Sequence, residues 1–460
     1  MSFSPHPPAV GPVPRALAEL GPEEVLLVTL EEGTEVAVRN DLRRVTTYVL
    51  IEQGRWFEHE WPLLPRIVQP GDTLFDIGAN HGVYALALAR RVGPTGRVVA
   101  FEPGDDPASL LARAAELAGL SWLDLRRVAV AERDGALSLA GSGEEARLAG
   151  DGRGRPVAAR RLDTVWRELG KPDVALLKID VEGAEERVFA GARNLLAETS
   201  PVVMFEISGD PERAVLLSRL LAGFGFAPYR YLPAFDLLLP AVPERCREFQ
   251  LNLLALKPDR AATLAARGLL CPTAEPEAGE PATDPAETAT LLRDRETQPA
   301  RERLARARAT LRWLESALAE EDTPALYPER AVAYRLCVAL GEMRRAVHHL
   351  GLARRRLRRE APRGAPPLAM SPWLDGIAPG AEGTAWMEMD VLDRLLCGHN
   401  WSSRFLPGEI LGLLEELRCN PFFPEHLERR RQLRRTIRGL QPAPTPGPAT
   451  VRLRVPMSAA

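Results

Sequence analysis

Polar residues that could do chemistry stand where apolar, strand-like runs end. After the first such run comes a loop that extends from Asp76 to Gly82 with the sequence DIGANHG. Gly78 and Gly82 allow the chain to turn sharply and bring backbone amides against a ligand. The side chains of Asp76 and Asn80 suit the charged amino-acid part of such a ligand. The spacing differs from the GxGxxG of dinucleotide-binding loops, and this disfavours a nicotinamide cofactor.

A second acid follows the next apolar run, in Phe101-Glu102-Pro103. In a parallel sheet, an acid at this place lies across the ligand crevice and accepts both hydroxyls of a ribose. A glycine-rich turn or a capping acid alone is common in proteins. The two in this order predict an adenosine-like ligand.

A third group, Lys178, Asp180 and Glu182, ends the run VALLKI. Alternation along a strand puts these side chains on one side of the chain, where buried charges are costly unless they are paired or used. Such a cluster could accept the proton of a hydroxyl nucleophile. The alternative is structural: Lys178 neutralises the acids and Asp180 caps the next helix. Glu206 ends the following strand and is a further candidate for substrate binding.

The elements that must position these groups alternate between apolar strands and helices from residue 71 onward. Continuous apolar strands with intervening helices are typical of a parallel sheet that is buried on both faces. The sequence therefore predicts a doubly wound α/β fold with its ligand at the carboxyl ends of the strands. Aromatic residues precede the first strand, and Trp56 among them could form a lid or a sugar-stacking wall, or could pack in the core.

The segments DIGANHGVYALALARRVGPTGRVVAFEP, RRLDTV, VALLKIDVEGAEERVFAGARNLL and PVVMFEI together resemble the FkbM family of methyltransferases, over roughly residues 71–258. The resemblance implies a class I methyltransferase (Rossmann-like) sheet of seven strands. It also implies S-adenosylmethionine as the methyl donor and O-methylation of a sugar, a glycan or a polyketide-type secondary metabolite. The polar insertion 134–154 has no clear counterpart in the family.

Site residues carry over from the family by position. The expected cofactor contacts are Asp76, Gly78, Asn80, Gly82 and Glu102, with Ala129 and Val130 near the adenine.

The motif with Asp180 and Glu182 is the most characteristic of the family. We interpret Asp180 as the base, oriented by Glu182 or Lys178, with Glu206 and Trp56 on the substrate side. Three nearby acids could hold a divalent metal, but the sequence does not require one and we predict none. His81 is read as a packing residue.

Composition sets the remaining expectations. A net charge of −3 over 460 residues gives no reason to expect a nucleic acid as partner. The five cysteines are scattered without metal-ligand spacing, which argues for reduced thiols and against a zinc site. The N-terminus lacks the features of a signal peptide, and no apolar run is long enough to span a membrane, so the expected compartment is the cytoplasm.

Shifts in composition divide the chain. The last third reads as a separate all-helical module that could recruit a protein partner or position the acceptor. Its His348-His349 pair and its arginine run 354–359 are read as solvated surface. The predicted parts are a flexible leader (1–22), N-terminal strands and a segment leading into the domain (23–70), the methyltransferase-like domain (71–258), a disordered linker (259–300), the helical module (301–440) and a disordered tail (441–460).

Three functions fit these observations. The first is an active O-methyltransferase, which the FkbM-like motifs favour. The second is an interaction protein that keeps the fold without activity, which the intact acids Asp76, Glu102, Asp180 and Glu182 disfavour. The third is a nicotinamide-dependent oxidoreductase, which the glycine spacing disfavours.

Overall fold

The computed structural model describes most of the chain. The described residues are 24–141, 147–148, 154–246, 250–273, 279–293, 298–320, 327–357, 368–375, 377, 382–397, 402–406, 409–439 and 450–452. The predicted leader 1–22 lies outside them, as does the greater part of the predicted tail.

The strands are β1 (Val25–Thr29), β2 (Glu35–Arg39), β3 (Thr73–Ile77), β4 (Arg97–Phe101), β5 (Leu123–Arg126), β6 (Ala129–Val130), β7 (Gly135–Ala140), β8 (Arg147–Leu148), β9 (Arg155–Arg160), β10 (Leu176–Ile179), β11 (Val202–Glu206), β12 (Ala227–Leu232), β13 (Leu237–Pro240), β14 (Asn252–Leu256) and β15 (Thr450–Arg452).

The helices are α1 (Val45–Gln53), α2 (Leu64–Ile67), α3 (Val83–Val92), α4 (Asp105–Leu117), α5 (Leu162–Glu168), α6 (Glu185–Gly191), α7 (Arg193–Glu198), α8 (Pro211–Ala222), α9 (Pro258–Ala266), α10 (Pro285–Arg293), α11 (Ala300–Glu320), α12 (Tyr327–Ala339), α13 (Met343–Leu357), α14 (Gly383–Cys397), α15 (Ile410–Leu417) and α16 (Glu425–Ile437).

The central sheet has the strand order β13-β12-β14-β11-β10-β3-β4-β5. β3 pairs in parallel with β10 and β4, β10 with β11 and β4 with β5, while β14 runs antiparallel to β11 and β12. The predicted class I methyltransferase fold is confirmed. The described sheet has eight strands where the resemblance implies seven, because β13 adds an edge strand beside β12.

The inner strands are buried along their whole length. Every residue of β10 is buried, and so are four of the five residues of β3 and of β11. Aromatic rings such as Phe75, Phe101 and Phe205 belong to one apolar core with residues of the flanking helices, Phe189 of α6 and Trp166 of α5 among them. Residues of this kind are buried only when helices cover both faces, so the apolar runs correctly predict the sheet.

Other segments of the chain form two smaller sheets. β1 and β2 form the predicted N-terminal hairpin, and β15 pairs antiparallel with β1. The insertion 134–154, predicted only as polar, contains β7 and β8 in a sheet of order β6-β9-β7-β8. The apolar residue Leu139 of β7 is buried with Ala129 and Val157, which explains why this polar segment takes a strand conformation.

Backbone contacts divide the chain into two compact units. One contains residues 14–231, 238–272 and 445–460, and the other contains 1–13, 232–237 and 273–444. The second unit is helical in its described residues outside the 232–237 segment, from α10 to α16, as predicted for the helical module. Within it, Met389, Leu392 and Leu427 belong to an apolar cluster.

Two predicted disordered segments contain regular structure. The predicted linker 259–300 holds α9 and α10, because proline begins each helix at N1, where no intrahelical N–H is needed, and Leu264 and Leu291 are buried. In the predicted tail, Thr450–Arg452 forms β15. Among the described residues, no helix is long and apolar enough to cross a membrane.

Candidate functional site

A cleft opens at the carboxyl ends of β3, β4 and β10, where the fold rule for such sheets expects a ligand. It has about 930 Å³ of empty space, including the part that is open to solvent. The cleft brings together predicted residues from distant parts of the chain. Those that line it are Trp56, Gly78, Asn80, Glu102, Ala129, Val130, Lys178, Asp180 and Glu182.

The loop after β3 passes close to the loop after β10. Gly78 has a φ of +79°, and a Cβ at this position would lie 1.8 Å from the backbone oxygen of Asp180. Only glycine fits there. The amides of Gly78 and Ala79 donate to the Phe101 carbonyl over 3.0 Å each, and this ties the loop to the end of β4.

Asp76 lies beneath this loop with only 3% of its side chain exposed. Asp76 is not among the residues that line the cleft. Neither of its carboxylate oxygens accepts a hydrogen bond of ordinary geometry from the described residues, although the Lys178 ammonium and the Ala85 backbone N–H lie near enough to lower its pKa. The Lys178 ammonium is 3.6 Å from Oδ1. Burial raises the pKa of Asp76, the charge of Lys178 opposes this and that of Asp180 adds to it. A buried carboxylate without donors is costly, and such a group is suited to a cationic ligand.

The Glu102 carboxylate, which follows β4, contacts the loop after β3. It accepts hydrogen bonds from the backbone N–H of Asn80 over 2.9 Å and from the backbone N–H of Gly104 over 2.6 Å. Burial raises the pKa of Glu102 to about 7, although these two bonds lower it. A carboxylate has about four lone-pair sites, so the ionised form retains capacity for ligand hydroxyls.

Lys178 connects the acids of the cleft. Its ammonium is 4% exposed and donates to Asp180 Oδ2 over 3.1 Å, and it lies 4.9 Å from the centre of the Tyr84 ring. Burial alone would lower the pKa of Lys178, but the charges of Asp180, Asp76 and Glu58 raise it above its ordinary value. Lys178 is therefore a permanent cation here. Asp180 is the more accessible partner, with 30% of its side chain exposed.

Sequence reasoning missed Glu58, which also lines the cleft. Its carboxylate accepts hydrogen bonds from Trp56 Nε1 (3.0 Å), the Tyr84 hydroxyl (2.7 Å) and Asn252 Nδ2 (2.9 Å). Burial raises its pKa, and the charge of Asp180 adds to the effect. The signal for Glu58 in the sequence is that an acid stands within the aromatic stretch before β3.

Ala129 and Val130, the predicted adenine neighbours, are buried and line the cleft together with Val128. Leu139 also lines it. Because Leu139 belongs to β7, the insertion contributes to the wall of the cleft.

Three predicted residues need separate description. The residues that line the cleft do not include Glu206. Glu206 accepts a hydrogen bond from Ser208 over 2.6 Å, and burial, with a contribution from Asp180, raises its pKa to about 8. Gly82 has a φ of +80° and precedes α3, but it too is absent from the cleft wall. His81 is buried, and burial lowers its pKa to about 3, so it is neutral at pH 7.

Known proteins resemble this chain over the same region. Residues 76–231 match the family model for the methyltransferase FkbM domain. The 2-O-methyltransferase NoeI of Sinorhizobium fredii is 26% identical over 192 residues, which are 37% of this chain and 77% of NoeI.

Solved structures also overlap with the chain. The methyltransferase FkbM of Methylobacillus flagellatus aligns with a TM-score of 0.29 and 14% identity, covering 47% of this chain and 59% of its own. A SAM-dependent O-methyltransferase of Thermotoga maritima aligns with a TM-score of 0.28 and 16% identity, covering 52% of this chain and 94% of its own.

Proposed function

We propose that this chain, whose residues 76–231 match the family model for the methyltransferase FkbM domain, transfers a methyl group to a hydroxyl of a sugar, a glycan or a secondary metabolite. The methyl donor of the domain is S-adenosylmethionine. The observation that carries the residue assignment is the cleft itself, whose wall combines Glu102 with the Lys178–Asp180 pair, while the buried Asp76 carboxylate lies 3.6 Å from the Lys178 ammonium.

The amino-acid end of S-adenosylmethionine fits the loop after β3. Its ammonium would supply the donors that the Asp76 oxygens lack. Gly78 lets the loop pass against the backbone of Asp180, and Asn80 adds a polar group to the wall. The residues present therefore suit the group.

The adenosine end fits the opposite wall. Ionised Glu102 would accept the two ribose hydroxyls while the backbone amides of Asn80 and Gly104 hold its carboxylate in place. Ala129 and Val130 supply a flat apolar contact for the adenine ring. The sulfonium of the donor makes its methyl group electrophilic without help from the protein.

The chain must position the donor against the acceptor hydroxyl and supply a proton acceptor. We assign the acceptor role to Asp180, whose exposed carboxylate lies at the cleft and whose negative charge is stabilised by Lys178. With the donor and an acceptor bound, Asp180 would take up the proton that the acceptor hydroxyl loses when it is methylated. Glu182 also lines the cleft, and so does the partly exposed Trp56, whose ring we propose stacks on a sugar.

The acceptor class rests on two supports. The family resemblance favours sugars and secondary metabolites, and the relative NoeI is described as a 2-O-methyltransferase. No disulfide joins the described cysteines Cys246, Cys271, Cys337 and Cys419, in keeping with the cytoplasm as the proposed compartment. We propose that the helical unit recruits a protein partner or the acceptor.

Ligand-dependent thermal unfolding tests the proposal. S-adenosylhomocysteine and S-adenosylmethionine should each raise the melting temperature, and NAD should leave it unchanged. An effect of NAD alone would indicate an oxidoreductase. Absence of any adenosyl effect would contradict the proposed donor site.

The role of Asp180 is tested separately, with labelled S-adenosylmethionine and a panel of sugar and polyketide acceptors. The Asp180→Asn variant should lose methyl transfer while keeping its thermal response to S-adenosylhomocysteine. Loss of that response would move Asp180 to the cofactor site. Binding of the donor by the wild type without transfer to any acceptor would favour an inactive interaction protein.

A further inference from the structure

Three helices of the second unit bring together residues whose spacing in the chain gives no metal motif. Glu315 of α11, Cys337 of α12 and His349 of α13 each offer a ligand atom, and these atoms lie within 4.8 Å of one another. Cys337 and His349 are buried, whereas Glu315 is partly exposed. His349 was expected at the surface, but the amphipathic α13 turns it inward and leaves its neighbour His348 exposed.

The chemistry of this set matches a borderline-soft divalent ion. A thiolate sulfur, an imidazole nitrogen and a carboxylate oxygen are the ligand types of Zn²⁺. Bonds of 2.0–2.3 Å in a tetrahedron separate neighbouring ligand atoms by about 3.3–3.8 Å. The three atoms therefore need to approach by about 1 Å, which is a side-chain adjustment.

His349 gives a second and independent indication. Its side chain is 5% exposed, and its Nδ1 atom is buried without a hydrogen-bond partner among the described residues. Its other ring nitrogen, Nε2, is 3.4 Å from Glu315 Oε1. A buried imidazole nitrogen without a partner costs free energy that a bound ion would recover.

Arg345 holds the carboxylate of this set. Its Nε donates to Glu315 Oε1 over 2.9 Å, and its terminal nitrogen pairs with Oε2. A metal-binding carboxylate is commonly oriented by such a hydrogen bond, and each oxygen retains a further lone pair. The arginine charge disfavours a nearby cation, and burial raises the pKa of the Cys337 thiol to about 12, so the ion itself would have to displace the thiol proton to solvent to gain the thiolate charge that offsets the arginine.

We propose that Glu315, Cys337 and His349 form a Zn²⁺ site that joins α11, α12 and α13, with water in the fourth position. The partly exposed Glu315 is on the side from which the ion enters. Because a preformed site binds only the folded state, the ion also stabilises this helical unit.

Titration of the untagged, chelator-treated full-length protein with Co²⁺ tests the site. We expect one Co²⁺ per chain, with a thiolate-to-Co²⁺ charge-transfer band that Zn²⁺ displaces. The band should vanish in Cys337→Ser, and His349→Gln and Glu315→Gln should each weaken binding at least tenfold. The matched controls Cys419→Ser and His348→Gln, both at exposed positions, should bind as the wild type does.

Two further measurements test the zinc site even if a Cys337 variant fails to fold. If Cys337→Ser does not fold, as judged by circular dichroism, Cys337→Ala replaces it. X-ray absorption of the Zn²⁺-loaded wild type, which needs no variant, should show one sulfur ligand at about 2.3 Å. Absence of the sulfur, or a charge-transfer band that persists in both Cys337 variants, would overturn the site. None of these measurements depends on an adenosyl ligand, so they test the zinc site independently of methyl transfer.

Discussion

In the proposed donor site, the Glu102 carboxylate would couple donor binding to pH. Burial raises its pKa to about 7, and ribose hydroxyls donate best to its ionised form. Protons therefore compete with the ligand as the pH falls. We expect the dissociation constant of S-adenosylhomocysteine to be constant above pH 8 and to rise by up to about tenfold per pH unit below pH 6. Calorimetric titration from pH 8.5 to 5.5 measures it.

The control for this prediction is Glu102→Gln. It should bind the ligand more weakly at pH 8 and lose the dependence between pH 8 and 6, because the amide does not titrate. A wild-type affinity that is flat over this range would show that Glu102 does not hold the ribose.

Gly78 and Gly119 separate steric exclusion from backbone strain. Both have positive φ, but only at Gly78 would a Cβ collide with another part of the backbone. We expect Gly119→Ala to lower the free energy of unfolding by about 1 kcal/mol. Gly78→Ala should cost about 3 kcal/mol or more and abolish the thermal response to S-adenosylhomocysteine. Equal effects in urea unfolding would contradict the close approach to Asp180.

Residue types and spacing predict that the loop after β3, Glu102 and the Lys178–Asp180 pair lie together, and the structure places them at one cleft, because each follows a strand whose carboxyl end lies there. Glu58 could not be assigned in this way. Its hydrogen bonds run to Tyr84 and Asn252, and the contact with Asn252 joins residues 194 positions apart. The same limit applies to the proposed zinc ligands, which only helix packing brings together.

At the scale of elements, Asp163 of α5 caps α7. Its fully buried carboxylate accepts the backbone amides of Asn194 and Leu195, each over 3.0 Å. We expect Asp163→Ala to lower the free energy of unfolding by about 2–4 kcal/mol, because it leaves buried helix N–H groups without an acceptor. Urea unfolding measures this change.

The matched variant is Glu116→Ala, which removes an exposed acid paired with Arg113 over 2.7 Å on α4. An exposed pair at this spacing contributes less than about 1 kcal/mol. A cost at Asp163 as small as that at Glu116 would refute the capping role.

From residue 71 onward the observed elements follow the predicted alternation of apolar strands and helices, for example β3, α3 and β4. The apolar periodicity is strong there. For the predicted linker 259–300, abundant proline and glutamate suggest disorder, but its described residues include helices α9 and α10. Proline at the first position of a helix is compatible with that helix, and one buried leucine in each of α9 and α10 anchors it.

At the scale of the whole molecule, β15 makes one unit discontinuous in sequence. Leu27, Val28 and Thr29 of β1 pair with Arg452, Val451 and Thr450. We expect a chain that ends at residue 440 to expose this edge of β1. Amide hydrogen exchange should accelerate in peptides that cover β1 and stay unchanged in β3. Unaltered protection of β1 would show that β15 does not contribute to the sheet.

This late strand also affects how the protein is made. A ribosome that has just synthesised β1 must add roughly 400 residues before β15 exists. At about 5–20 residues per second, β1 waits about 20–80 seconds for its second neighbour. During that interval the nascent chain presents an unpaired strand edge, which is a known template for aggregation. Chaperone dependence during translation is therefore the expected biological cost of completing an N-terminal sheet from the far end of the chain.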